Sequence, residues 1–181
     1  DGMNTTDEAH LWDIRQEAGM VFQNPDNQII GQVVEEDVGF GPENLGVPTE
    51  EIWQRVEESL KAVGMYEFRK YSPNKLSGGQ KQRVSIAGVI AMHPKCIILD
   101  EPTIAQDYKG KEIIRKIITN LSEHGKLVLA ILHDMDFVAQ CFSRVVVLAH
   151  GKLLADGTPS EVFVQKEVLK KAALDMPHPL Q

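Results

Sequence analysis

Two carboxylates, Asp100 and Glu101, follow the apolar run Cys96-Ile97-Ile98-Leu99. Four such residues form a buried strand, and the two acids then emerge at its C-terminal end, the edge where open α/β sheets bind ligands. There the first carboxylate can hold Mg²⁺, usually through water, and the second can orient or deprotonate an attacking water. Taken alone, an apolar strand that ends in Asp-Glu is more often just a solvated strand end.

A second group of residues changes that balance. Leu76-Ser77-Gly78-Gly79-Gln80 stands immediately before a helix-forming run. A serine hydroxyl and glycine amides at a helix N-terminus meet unpaired N–H groups and the positive end of the helix dipole, which together favour an anion such as a terminal phosphate. Glycine lets the backbone approach that phosphate with no Cβ in the way. The bland alternative, a glycine-rich helix cap, does not account for Lys81-Gln82-Arg83 and then the Asp-Glu strand following in order. His133 ends the next apolar run, and Gln23 ends an earlier one at Gly19-Met20-Val21-Phe22.

The elements that must hold these residues are legible from periodicity. Glu17 to Phe22 reads as a strand closed by the turn Asn24-Pro25. Asp26 to Pro48, rich in Gly, Pro, Asn and acids, reads as irregular, with a short helical piece near Val33 to Val38. Thr49 is placed as the cap of a helix with apolar positions Ile52, Val56, Leu60 and Val63, ended by Gly64. Gln80 to Met92 is a buried helix stopped before Pro94. Cys96 to Leu99, Leu127 to Leu132 and Val145 to Leu148 then alternate with helices over Glu112 to Glu123 and Met135 to Phe142, the pattern of a parallel sheet covered by helices. Gly151 to Gly157 suggests a closing hairpin, followed by a helix from Pro159 or Ser160.

Composition sets the outer bounds. The chain has 181 residues, 43% hydrophobic and 25% charged, as in ordinary globular domains. Its apolar runs are far shorter than the roughly 20 residues that cross a bilayer, and the polar, acidic start at Asp1 to His10 lacks a secretory pattern, so a cytosolic setting is expected. Cys96 and Cys141 form no CxxC pair or metal set and read as reduced core residues. The net charge of −7 lacks the basic footprint of a nucleic-acid binder, so no nucleic-acid partner is expected.

Together these residues resemble the ATP-binding-cassette ATPases: Gln23 resembles the Q-loop glutamine, Leu76 to Gln80 the LSGGQ signature, Cys96 to Glu101 the Walker B strand with its catalytic glutamate, and His133 the switch histidine. Within that family the chain most resembles the ATPase subunit of energy-coupling factor transporters. That narrower resemblance rests on Gly19 to Gln28, on Val34-Glu35-Glu36-Asp37-Val38 with Phe40 to Gly46, and on Ala155-Asp156-Gly157-Thr158-Pro159. The resemblance implies an α/β fold, a RecA-like P-loop NTPase core with an inserted α-helical signature subdomain. Residues 26–92 would carry the Q-loop and signature subdomain, 93–157 the Walker B and switch core, and 158–181 the start of a C-terminal extension.

The resemblance also implies roles and partners. Asp100 and Gln23 would serve Mg²⁺, and Glu101 and Gln23 the attacking water, while His133 would contact the γ-phosphate of ATP. Ser77, Gly78, Gly79, Gln80 and the D-loop Asp107 would act on nucleotide held mainly by a second homologous ATPase subunit. A transmembrane coupling subunit would insert arginine-bearing helices near the acidic cluster Glu35, Glu36 and Asp37, which otherwise reads as a solvated helix face. A substrate-binding membrane subunit would complete an importer of a vitamin or a transition-metal ion, with this chain peripheral on the cytoplasmic face of the membrane.

Some of the family pattern is missing or altered. No GxxxxGK[ST] occurs in the chain, so the Walker A part is expected to be absent and the chain alone to be deficient as an ATPase. Loss of its charge-assisted bonds weakens ATP binding by on the order of 6 kcal/mol. The D-loop Ile104-Ala105-Gln106-Asp107-Tyr108 has Gln106 where the family prefers Leu and Tyr108 where it prefers Pro, and Leu132 precedes His133 where Thr is common. Two rival readings are a non-transport ABC ATPase of DNA repair or translation, and a truncated interaction subunit that docks without turning over ATP. The short span between Gln23 and Leu76 has no room for the long coiled coil of the first.

Overall fold

A central strand whose residues alternate in burial needs a partner on each side and a helix on one face, and the chain up to Ile131 supplies them in order. The computed structural model describes residues 3–104 and 106–177. It divides into two units, Asp1–Ile131 and Leu132–Gln181.

In the first unit, α1 (Leu11–Glu17) leads into β1 (Ala18–Val21), α2 (Val34–Asn44), α3 (Thr49–Ala62), α4 (Gly78–Ala91), β2 (Cys96–Asp100), α5 (Tyr108–Glu123) and β3 (Leu127–Ile131). The strands form a parallel sheet in the order β1-β2-β3. Met20 lies opposite Ile98, which lies opposite Leu129, and Val21 opposite Leu99, opposite Ala130. One face of the sheet is buried through Val21, Ile97 and Leu99, while α4 contributes Val84, Ile86, Ala87 and Val89, and α5 contributes Ile114, Ile117, Ile118 and Leu121 to the buried core. The other face leaves Met20, Leu127, Leu129 and Ile131 exposed, Leu127 at 64%. Gly19 admits α4 close to β1, because a Cβ there would overlap the Val89 side chain.

The helices follow their apolar stripes. α3 buries Ile52, Val56 and Leu60, and Gly64 ends it at φ +66°, the left-handed position that glycine occupies without a Cβ penalty. Thr49 is not its cap, however: Pro48 holds the N-cap position without a side-chain bond and Thr49 is the first helical residue. The short helical piece near Val38 is also longer than its local composition suggests, since α2 runs on to Asn44 through Pro42. Val34, Val38 and Pro42 recur at four-residue spacing and are all buried, so packing of one continuous stripe outweighs the local cost of an interior proline.

The second unit consists of α6 (Met135–Cys141), β4 (Val145–Ala149), β5 (Lys152–Gly157), α7 (Pro159–Phe163) and α8 (Lys166–Lys171). Its core joins Met135, Val138, Val147, Ala155, Val162, Phe163 and Leu169. The run Val145 to Leu148, assigned above to the parallel sheet, pairs instead antiparallel with β5 in a separate two-stranded sheet. The reason is local. His150 and Gly151 join the strands as a two-residue turn with φ of 51° and 70°, both positive as the tight hairpin turn of this handedness requires. Thr158 caps α7 through a reciprocal pair with Glu161.

Candidate functional site

Parallel pairing brings two chemically loaded strand ends to one edge. Because Val21 stands opposite Leu99, the residues that follow, Phe22-Gln23 on one strand and Asp100-Glu101 on the other, leave the sheet side by side. Asp100 is half-buried opposite Ile131. Glu101 is 7% exposed and donates its backbone N–H to the Ile131 carbonyl at 3.0 Å. Its φ of 47° lies in the left-handed region, a strained conformation for a side-chain-bearing residue that persists where the surroundings enforce it, often at functional sites.

Gln23 is exposed, and its segment is held by its neighbours. The Gln28 carboxamide accepts from Phe22 N–H at 2.9 Å and donates to the Met20 carbonyl at 3.3 Å, bridging the end of β1 to the residue that follows it. Asn24 caps the turn Pro25–Asn27 through Asp26 N–H. Two bonds tie this segment to α4: Lys81 Nζ to Asp26 at 2.6 Å, and buried Gln82 Nε2 to the Phe22 carbonyl at 3.3 Å.

Leu76 is buried and anchors the glycine motif, while Ser77 and Gly78 are exposed. Ser77 Oγ accepts from Gln80 N–H and the Gln80 side chain accepts from Ser77 N–H, a reciprocal capping box at the start of α4. The oxygen of the serine hydroxyl, expected to face outward with the glycine amides, is therefore also engaged as an acceptor in holding the turn, together with the Gln80 side-chain oxygen. The amides of Gly78 and Gly79 belong to the first turn, which has no intrahelical acceptor for them. Asp107 caps α5 by accepting from Gly110 N–H at 2.7 Å. Burial lowers the pKa of the Arg83 guanidinium on α4, with the charge of Asp107 opposing that fall. Ala105, within the D-loop reading, lies outside the described residues.

The acidic cluster on α2 divides into three different fates. Asp37 accepts from the N–H groups of Ile30 and Gly31, each at 2.8 Å, and so folds the loop that precedes its own helix. Glu35 pairs with Lys70. Glu36 alone of the three is exposed. Beside Asp37 a cavity of about 320 Å³ is lined by Trp12, Met20, Ile30, Phe40 and Met92 among others. His133 belongs to the second unit, where it is exposed and precedes Asp134, the cap of α6.

The donor set suits MgATP. Carboxylate oxygens at a strand end are hard ligands, and Mg²⁺ takes one or two such groups together with substrate phosphates; among the described residues no group of three or more His, Cys, Asp and Glu forms a denser site. Gln28, Gln82 and Gln106 hold these segments through their side-chain amides, a role their places in the motifs did not reveal. Gln82 stands out in sequence as a polar residue in an otherwise buried helix, and Gln106 as a departure from the D-loop pattern.

The sequence model described as ABC transporter matches residues 1–104. The chain belongs to the ABC transporter family. Among curated members, it is 58% identical over 176 residues to the energy-coupling factor transporter ATP-binding protein EcfA1 of Caldanaerobacter subterraneus subsp. tengcongensis, covering 97% of this chain and 63% of that protein. It is 54% identical over 178 residues to the protein of the same name in Clostridioides difficile, covering 98% of the chain and 64% of the relative. The chain thus spans less than two thirds of the length of these ABC relatives. Among solved ABC structures it is similar to cbiO1 of Clostridium perfringens, described as part of the ABC transporter complex cbiONQ, with TM-score 0.81, 38% identity, and coverage of 91% of this chain and 66% of that one. It is also similar to the ATP-binding cassette MJ0796 in a dimeric post-hydrolysis state with ADP and Pi, with TM-score 0.75, 33% identity, and coverage of 86% and 69%. The fold is that of an ABC ATPase domain, the α/β P-loop NTPase class expected from the motifs.

Proposed function

We propose that this chain is part of the ATP-hydrolysing subunit of an energy-coupling factor transporter, which powers uptake of a vitamin or a transition-metal ion. The observation that carries the reading is the joint placement, in one unit, of the Ser77-Gly78-Gly79-Gln80 turn at the head of α4 and of Asp100-Glu101 at the sheet edge beside the Gln23 strand. The names of the curated relatives support the transporter class.

On this reading residues 26–92 form the Q-loop and signature subdomain, 93–157 the Walker B and switch core, and 158–181 the start of a C-terminal extension. Asp100 and Gln23 hold Mg²⁺, which supplies charge neutralisation at the phosphates. Glu101 orients the attacking water and takes up its proton, Gln23 helps to place that water, and His133 contacts the γ-phosphate. Ser77, Gly78, Gly79 and Gln80 close over nucleotide bound to a second homologous ATPase subunit, and Asp107 lies at the same interface. The capping box uses Ser77 Oγ and Gln80 Oε1 only as acceptors, so the serine O–H and the Gln80 side-chain N–H groups remain available as donors to a phosphate. The dimeric state of the MJ0796 structure supports pairing, and the complex named for cbiO1 supports membrane partners. Those partners are a transmembrane coupling subunit and a substrate-binding subunit, with this chain on the cytoplasmic face; exposed Glu36 and the cavity beside Asp37 fit a basic helix of the coupling subunit.

The test is MgATP hydrolysis by the full-length protein, alone and with its homologous partner subunit. Turnover that needs the partner and is lost in Glu101→Gln with ATP binding preserved supports the assignment. Equal turnover by Glu101→Gln would sink it.

A further inference from the structure

Gln106 stands next to Asp107 and has no role in the chemistry above, yet its side chain occupies the space between the head of α4 and the head of α5. Its Nε2 donates to the Gly79 carbonyl at 3.4 Å. Two glycines make room for it. A Cβ at Gly79 would lie 2.7 Å from Gln106 Oε1, and a Cβ at Gly110 would overlap the same oxygen. Gly110 is itself fixed by the Asp107 cap at 2.7 Å, and the Gln106 backbone N–H donates to the Thr103 carbonyl at 3.3 Å.

The carboxamide therefore sits in a slot walled by one glycine from each helix. The capping box of Ser77 and Gln80 holds the glycine turn within itself. Among the described residues, Gln106 is the side chain from another element that bonds this turn. Chain length and chemistry both matter here. Asn would fall short of the carbonyl, Leu would fill the slot without donating, and Glu would set a carboxylate against a carbonyl oxygen.

We propose that Gln106 is a positioning residue that clamps the Gly78-Gly79 turn to the start of α5, so that the turn amides and Asp107 are presented as one body to the phosphates of a nucleotide. The inference rests on the function proposed above and adds a residue that acts through the glycine turn without touching nucleotide.

The experiment compares full-length wild type, Gln106→Leu and Gln106→Glu, each paired with the homologous ATPase subunit, by amide hydrogen exchange over residues 77–80 and by the KM and kcat for MgATP. Loss of one hydrogen bond predicts about five-fold faster exchange in the turn and an ATP KM raised about five-fold for Gln106→Leu, with larger changes for Gln106→Glu and kcat retained in both. A merely structural role would lower the amount of folded enzyme without moving KM. Exchange at residues 77–80 unchanged in both variants overturns the clamp, and faster exchange with unchanged KM overturns its positioning role. Absence of turnover in the wild-type pair overturns the functional reading on which the inference rests, a result separate from any difference between variants.

Discussion

Gln82 on α4 donates through Nε2 to the carbonyl of Phe22 at 3.3 Å, joining the helix headed by the glycine motif to the residue before Gln23. Gln82 is 4% exposed, so its amide has no recourse to water and the bond counts for more than one at the surface. Gln82→Leu keeps the volume and leaves the Phe22 carbonyl without this donor. The expected cost is about 1 to 2 kcal/mol of unfolding free energy, read from denaturant melts of the full-length protein. A midpoint equal to wild type would show that the bond contributes nothing.

Glu101 combines a buried carboxylate with a φ of 47°, and two substitutions separate these properties. Glu101→Gln preserves shape and removes the proposed base, so kcat is expected to fall by about 100-fold or more with ATP affinity retained. Glu101→Gly relieves the left-handed strain that Glu101→Ala keeps, so the glycine variant is expected to be more stable than the alanine variant by about 1 kcal/mol. Thermal unfolding of the pair decides this, and identical melting temperatures would refute the strain.

Asp37 holds the loop before α2 through the amides of Ile30 and Gly31, whereas Glu36, one residue earlier, faces solvent. Asp37→Ala is expected to cost about 2 kcal/mol, and Asp37→Asn, which keeps an acceptor oxygen, less. Glu36→Gln should change stability by less than about 0.5 kcal/mol and act, if the proposed partner is right, on assembly with the coupling subunit. Chemical denaturation paired with a pull-down of that subunit reads both; a stability loss for Glu36→Gln matching that of Asp37→Ala would contradict the division of roles.

His93 has its pKa lowered, first by burial and then by the charges of Arg55 and Lys126. The folded protein thus binds this proton less readily than the unfolded chain. The stability associated with the neutral imidazole is present above the unfolded value of about 6.5 and is lost as pH falls from there through the lower folded value. His93 also adopts φ 57°, which Asn tolerates better than most residues. His93→Asn should therefore flatten the fall in melting temperature between about pH 7 and pH 5. Parallel wild-type and variant profiles would show that His93 does not contribute.

Much of this protein could be read without coordinates, because local chemistry carries it. Short apolar runs bounded by turn or charged residues marked β1 and β2, an apolar stripe marked α3, and Gly64 ended that helix as its freedom at positive φ dictates. The glycine motif and Asp100-Glu101 were likewise visible as residue types at element ends. Local signals were weaker where packing overrode them. Pro42 would end a helix in isolation, but α2 continues through it, and Val145 to Leu148 looks like another parallel strand until the His150-Gly151 turn folds it back on β5.

The linear order of residues determined which groups this chain can offer: a glycine turn at Ser77 to Gln80, two acids at a strand end, and a glutamine at another. Only the tertiary structure decided how those groups are held. Gln82 reaches Phe22 across 60 residues of sequence, Lys81 reaches Asp26 across 55, and Gln106 reaches Gly79 across 27. Such bonds leave no trace in local periodicity, because a side-chain amide on a helix looks the same in sequence whether it meets water or a distant carbonyl. Its partner is chosen by the packing of the whole unit.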